Sequence, residues 1–202
     1  MHPYSTNSEE RFKVPFFLGA LAIGIAWVFS QFASEARLPF YVEVPGTFTI
    51  YAILFALFRG YIWKFTFLRY LHIVKVPNLE GDWVGHLMSS FDGAADKQAV
   101  TIHIRQNWTH IFIKLTAPNS DSRSVVGSIY ESEGETILIY QYKNDPHATA
   151  VETMHAHTGT ATLYVEEGLL AMAGDYYSGR DRTNYGRIVV RRRLDAPAAG
   201  FA

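Results

Sequence analysis

Apolar and polar positions follow two regimes along this chain, and the change between them falls near Pro77. From Val14 to Ser34 the run VPFFLGALAIGIAWVFSQFAS carries no charge. A helix of about 21 residues rises roughly 30 Å, the thickness of a bilayer's hydrocarbon core. Pro15 stands near the start of the run, where a missing N–H costs a helix little. A second apolar segment begins at Pro45, continues through TFTIYAILFALF to Phe58, and ends after Arg59 on GYIW at Trp63. Its uncharged part is short. With Arg59 extending its guanidinium to the headgroups, residues 44–63 gain the length of about 20 that a span requires. Tyr61 and Trp63 suit the membrane interface. Two alternatives stand beside this hairpin: a signal peptide cleaved near Ser34-Glu35-Ala36, and a re-entrant second helix. The long apolar run, the weakly basic leader and the second segment all disfavour cleavage.

Beyond Pro77 the period changes to two. Alternating segments at 80–90, 98–106, 108–116, 123–132, 135–143, 151–165, 168–177 and 185–194 predict strands. Turn clusters separate them, among them Phe91-Asp92-Gly93, Pro118-Asn119-Ser120-Asp121, Asn144-Asp145-Pro146 and Ser178-Gly179-Arg180-Asp181. Eight sequential antiparallel strands with short connections close most easily as an up-and-down β-barrel, which removes exposed edges. Such a barrel has room for one small ligand. A two-sheet sandwich is the alternative. The expected layout is an N-terminal two-helix transmembrane hairpin (1–75), an all-β compact eight-stranded antiparallel barrel (76–195) and a flexible tail (196–202). Alternation places Val100, Ile102 and Ile104 on one face and Thr101, His103 and Arg105 on the other. Which face lines the interior is left open by the pattern alone.

Charge orients the hairpin. Glu35 to Glu43, between the helices, holds Arg37 as its one basic residue, whereas Arg11, Lys13, Arg59, Lys64, Arg69 and Lys75 occupy the outer flanks. Basic residues in short flanks favour the cytoplasmic side, so both termini and the β domain are expected in the cytoplasm. The net charge of −1 provides no basic field for long nucleic acid. The absence of cysteine excludes disulfides, Cys-based zinc sites and a thiol nucleophile. Small residues recur four apart at Ala22, Ala26 and Ser30, and again at Ala52, Ala56 and Gly60, a pattern suited to close helix packing within one chain or between chains.

HExxH, Walker, GxSxG and GxGxxG signatures are all missing, so no enzyme is expected. His155-Ala156-His157 puts two imidazoles on one strand face, a weak metal motif without an acidic partner nearby. The aromatic and basic set is more informative. Trp83, Trp108, Tyr140, Tyr142, Tyr176 and Tyr177 are spread over several strands, accompanied by Arg105, Arg180, Arg182 and Arg187, with Asn144 and Thr183 as polar partners. Aromatic faces stack on bases and arginine forks bind phosphate oxygens, which together suit a small nucleotide. Arg191-Arg192-Arg193 alternates faces and reads as a solvated end towards an acidic membrane surface.

Several motifs in order carry a family resemblance: Leu79-Glu80-Gly81-Asp82-Trp83-Val84-Gly85, Ile104-Arg105-Gln106-Asn107-Trp108 and Tyr140-Gln141-Tyr142-Lys143-Asn144-Asp145-Pro146, followed by His157-Thr158-Gly159-Thr160-Ala161 and Gly174-Asp175-Tyr176-Tyr177-Ser178-Gly179-Arg180. Behind two membrane helices, this order resembles the two-transmembrane β-barrel effectors of bacterial CBASS anti-phage defence. The resemblance implies a cyclic dinucleotide as activating ligand, made by a partner nucleotidyltransferase (CD-NTase). It implies homo-oligomerisation on binding and disruption of the inner membrane, so that the infected cell dies before the phage matures. It assigns ligand binding to Tyr140, Tyr142, Asn144, Tyr176 and Arg180, with Arg105 and Trp108 as further candidates, and implies no other cofactor. A membrane-tethered lipocalin-like carrier of an apolar ligand is the competing expectation.

Overall fold

The computed structural model describes residues 1–35, 40–93, 96–150, 155–179 and 184–194. They fall into two compact units: Ser8–Val76, and Met1–Asn7 together with the chain from Pro77 onward.

In the first unit, α1 (Glu10–Glu35) and α2 (Phe40–Gly60) pack against each other. A 3-10 turn at Ile62–Lys64 and the short α3 (Thr66–Tyr70) follow. The stretches Glu10–Gln31 and Gly46–Lys64 are long and apolar enough to cross a membrane, and only 11% of each is buried. Phe16, Phe17, Ile23, Trp27 and Phe29 on α1 stand exposed, as do Phe48, Ile53 and Leu57 on α2. A core helix of a soluble protein hides such side chains; these two helices are compatible with membrane association instead. Of the small-residue stripes, Ala22 on α1 is buried, with Ala26 and Ser30 half-buried, whereas Ala52 and Ala56 on α2 are exposed. The buried Glu10 carboxylate accepts the backbone N–H groups of Lys75 and Val76, which ties the start of α1 to the segment leaving the helices.

The second unit contains β1 (His2–Ser5), β2 (Gly81–Ser89), β3 (Gln98–Gln106), β4 (His110–Thr116), β5 (Ser120–Ser132), β6 (Glu135–Pro146), β7 (His157–Val165), β8 (Ala171–Ser178) and β9 (Tyr185–Arg192). Strands β2 to β9 pair sequentially and antiparallel, and β9 returns to β2. The ring therefore closes, as the alternation predicts, but it has nine strands rather than the eight expected. The ninth is β1. Beyond Lys114↔Arg123 the β4–β5 pairing stops, next to a bulge in β5 between Ser124 and Val126. There β1 enters, antiparallel to β4 at His2↔Ile111 and parallel to β5 at Tyr4↔Gly127. Residues 1–7, expected among the helix flanks, thus belong to the ring unit.

The inner face is settled by burial. Ile102, Ile104, Ile111, Ile113, Leu138, Leu163, Met172 and Val190 point inward and are almost completely buried. Each contributes about 1.5–3 kcal/mol of hydrophobic stabilisation relative to exposure. These aliphatics fill one end of the ring. Gln106 is the buried polar residue there and is satisfied: its Oε1 accepts from Leu79 N at 2.7 Å, and its Nε2 donates to Pro77 O at 3.1 Å. Trp83 Nε1 donates to Leu79 O at 2.9 Å, so residues 77–80 are pinned across this end. Arg192 is part of the same cluster, its guanidinium 4.9 Å from the Trp83 ring centroid and donating to Asn78 O and Glu80 O. Alternation does split the triple arginine between faces, but Arg192 is held inside rather than solvated.

Candidate ligand-binding site

The opposite end of the ring carries tyrosines, amides and hydroxyls in place of aliphatics. It arises because the strands continue, still alternating, through residues that read as turns. β5 begins at Ser120, after a tight turn in which Ala117 N donates to Ser120 O at 2.9 Å, and β6 runs through Asn144 to Pro146. These extensions send Ser120, Ser122 and Asn144 inward, where all three are buried.

The cross-strand register stacks the inward residues in rows. Nearest the mouth, Ser122, Asn144 and His157 lie side by side on β5, β6 and β7. Next come Tyr142, Gly159 and Ser178 on β6, β7 and β8. Deeper again are Tyr140, Ala161, Tyr176 and Gly186, on β6 to β9. In these deeper rows a large ring stands beside a residue with little or no side chain. A Cβ on Gly159 would lie 2.3 Å from the Tyr142 hydroxyl oxygen, and one on Gly186 would lie 2.6 Å from Cε1 of Tyr176. The tyrosines occupy the space that the glycines leave.

A cavity of about 150 Å³ opens between these rows, with Leu87, Leu115 and Ile188 as its aliphatic surface and Phe91 among its lining residues. Gln98, Asn119, Ser122, Asn144, His157, Ser178 and Asn184 add the polar groups. Among the described residues that line it there is no Asp, Glu, Lys or Arg. Tyr140 and Tyr142 tilt at 56° with ring centroids 6.3 Å apart. Burial, helped by the neighbouring Tyr142, pushes the Tyr140 phenol far above its ordinary range, so it remains a neutral hydroxyl. Ser122 Oγ donates to Asn144 Oδ1 at 2.8 Å, which orients that amide. Apolar surface with a few convergent polar groups is the usual make-up of a small-ligand pocket.

Four of the residues chosen from the sequence, Tyr140, Tyr142, Asn144 and Tyr176, line this one cavity. Two are elsewhere. Arg105 is exposed on the outer face of β3. Trp108 is buried, and its carbonyl accepts the Tyr4 hydroxyl at 3.0 Å, outside the cavity lining. Arg180 lies outside the described residues, between Ser178 and Asn184, which both line the cavity. The sequence had not singled out Ser122, Gln98, Asn119, Ser178 and Asn184. Period-two extension of the strands past their polar ends is the signal that finds Ser122. In the sequence His157 reads as half of a weak metal motif and as the start of one family motif, without an assigned ligand role; among the described residues no cluster of three metal-ligating side chains occurs.

A neutral, tyrosine-and-amide mouth in a closed β ring, carried behind two membrane-length helices, defines the class: a small-ligand receptor domain attached to a membrane-compatible segment. The chain belongs to the Cap15 family, because the family model described as "Cap15, cyclic dinucleotide receptor domain" matches residues 74–192. The match spans all of β2 to β9 and leaves β1 outside it. Among curated relatives, CD-NTase-associated protein 15 of Yersinia aleksiciae is 32% identical over 146 residues, covering 71% of this chain and 67% of the relative. CD-NTase-associated protein 15 of Escherichia albertii is 24% identical over 155 residues, covering 76% of this chain and 79% of the relative. The resemblance to the CBASS effectors drawn from the motifs is borne out.

Proposed function

We propose that this protein is a cyclic-dinucleotide-gated membrane effector, in which the β ring is the sensor and the two apolar helices are the output. The observation that carries the reading is the convergence of Tyr140, Tyr142, Asn144 and Tyr176 on a single cavity within a Cap15 receptor domain. Their phenol rings offer stacking surface to a base, and the amides and hydroxyls offer partners to its edge. Arg180, which the family resemblance assigns to the ligand, is a candidate partner for its phosphates. The ligand is the product of a CD-NTase, and the ring lies on the cytoplasmic side of the inner membrane with both termini. No bond is made or broken.

The cavity is small beside the usual ligand pocket of roughly 300–1,000 Å³, so a cyclic dinucleotide seated in it extends beyond the mouth. Its outer half is then available to a second copy, which supports ligand-driven oligomerisation. Helix clustering follows, and the exposed Ala52 and Ala56 supply an α2 face along which backbones approach closely. An apolar-ligand carrier is disfavoured by the aliphatic filling of the ring's other end and by the polar mouth.

The test uses the full chain in dye-loaded vesicles of inner-membrane lipids, with a panel of 3′,3′-cyclic dinucleotides covering the common bases. One member of the panel is expected to bind, to raise the oligomeric state and to release dye. Release without added nucleotide, or binding to none of the panel, overturns the proposal.

A further inference from the structure

His157 is the one described side chain lining the cavity that can carry a positive charge. Its position is specific. It faces Asn144 directly across β6 and β7, and Asn144 faces Ser122 across β5 and β6. The imidazole Nδ1 lies 2.9 Å from the carbonyl oxygen of His155. A carbonyl only accepts, so Nδ1 carries the hydrogen of that bond and Nε2 is the ring's remaining polar atom. Asn144 spends Oδ1 on the Ser122 hydroxyl, so its amide's other group is a donor. An imidazole that gains a second N–H beside an amide donor forms a small cationic corner in a mouth whose other described lining residues are neutral. Neutral hydroxyls and amides suit the bases; a phosphodiester is held more strongly by a charged donor in such a corner.

We propose that His157 is an anion-recognising residue of this cavity, donating from protonated Nε2 to one of the two phosphodiesters of the bound cyclic dinucleotide. The inference rests on the ligand class proposed above and names the group that reads its charge. The other ionisable groups near the imidazole are the phenols of Tyr142 and Tyr176 on the inner face of β6 and β8. Lys143 and Asp145 are on the outer face of β6, Asp175 on that of β8, and His155 two residues before it in the chain. Glu152, Arg180, Asp181 and Arg182 are near in sequence and outside the described residues. A phosphodiester keeps its charge throughout pH 5.5–8, so any change of affinity in that interval comes from the protein.

The experiment measures binding of the 3′,3′-cyclic dinucleotide panel to full-length protein in detergent at pH 5.5, 6.5 and 8.0. Wild type, His157→Gln and His157→Lys are compared, with melting curves showing that each variant folds. Wild-type affinity is expected to fall roughly ten-fold between the lowest and highest pH, the size of a lost charge-assisted hydrogen bond. His157→Gln is expected to bind weakly at every pH. His157→Lys, charged throughout, is expected to flatten the profile at higher affinity than the glutamine variant. A pH-independent wild type bound as tightly by His157→Gln overturns the role of His157 and leaves the sensor function standing. Failure of wild type to bind any panel member at any pH overturns both.

Discussion

At the scale of single residues, the shape of the site is set as much by absent side chains as by present ones. Gly159 adopts an ordinary strand conformation and is needed for space: its Cβ would meet the Tyr142 ring at 2.4 Å and the Tyr177 carbonyl oxygen, also at 2.4 Å. The ring could swing, but the strand backbone cannot. Gly159→Ala is therefore expected to cost about 1–3 kcal/mol, the usual range for overpacking, and to displace Tyr142 from the cavity wall. Chemical denaturation and nucleotide titration on the same protein check both, and an alanine variant of native stability and affinity would contradict the steric account. Asp121 supplies a pH effect. Burial raises its carboxyl, yet the Lys114 ammonium at 2.9 Å, aided by Thr116 and His147, outweighs that and leaves it below its ordinary 3.8. Its stabilising contribution is thus present above pH 3.8 and is lost as pH falls through the lower folded value. Asp121→Asn is expected to lower stability by about 1 kcal/mol at neutral pH and to leave the difference from wild type vanishing in acid, as denaturant midpoints measured from pH 2 to 7 would record. The tyrosines were legible in the sequence because residue type alone suggests stacking. The glycines were not, since a glycine within a strand reads equally as a bulge, a bend or a close approach until its neighbour across the sheet is known.

At the scale of elements, the informative case is β1. Two residues pair with each neighbour, too few for alternation to show, and Pro3 argues against a strand. Its partners are more than a hundred residues away along the chain. No local pattern encodes such a pairing, whereas the eight later strands each pair with a neighbour in sequence and carry seven or more residues of alternation. What holds β1 is side-chain chemistry. Tyr4 is buried with its hydroxyl on Trp108 O, His2 Nε2 lies 2.8 Å from Ser124 Oγ, and Asn7 exchanges two hydrogen bonds with the Glu131 backbone. Trp108, chosen from the sequence for ligand contact, takes its place in this seam. Tyr4→Phe keeps the ring and removes the hydroxyl, so a loss of about 1 kcal/mol is expected in urea unfolding. Deleting residues 2–5 leaves the open part of the β4–β5 seam with unpaired backbone groups. That truncation is expected to melt at lower temperature and to self-associate without nucleotide, by light scattering; a monomer with unchanged melting would show that the seam closes unaided.

At the scale of the whole molecule, the chain passes between its two units twice, after Asn7 and after Val76. The sensor and the helices are therefore covalently joined through β1 as well as through the segment leading to β2, a connection that a boundary drawn once along the sequence misses. Separate units allow separate tests. The two small-residue stripes, equivalent in sequence, differ in the fold: Ala22 on α1 is buried, while Ala52 and Ala56 on α2 are exposed. An exposed small-residue face does nothing for a lone hairpin and matters when helices of different copies meet. Ala56→Leu adds bulk at that face, within the helical unit. If clustering of α2 is the output step, the variant binds cyclic dinucleotide with wild-type affinity, since the cavity is built wholly from the ring, and releases vesicle dye several-fold more slowly. Ala22→Leu alters a buried position instead and is expected to disturb the helix pair before any ligand is added, seen as lower thermal stability of the full chain. Equal dye release by Ala56→Leu and wild type, at equal occupancy of the sensor, would move the inter-chain contact off this face of α2.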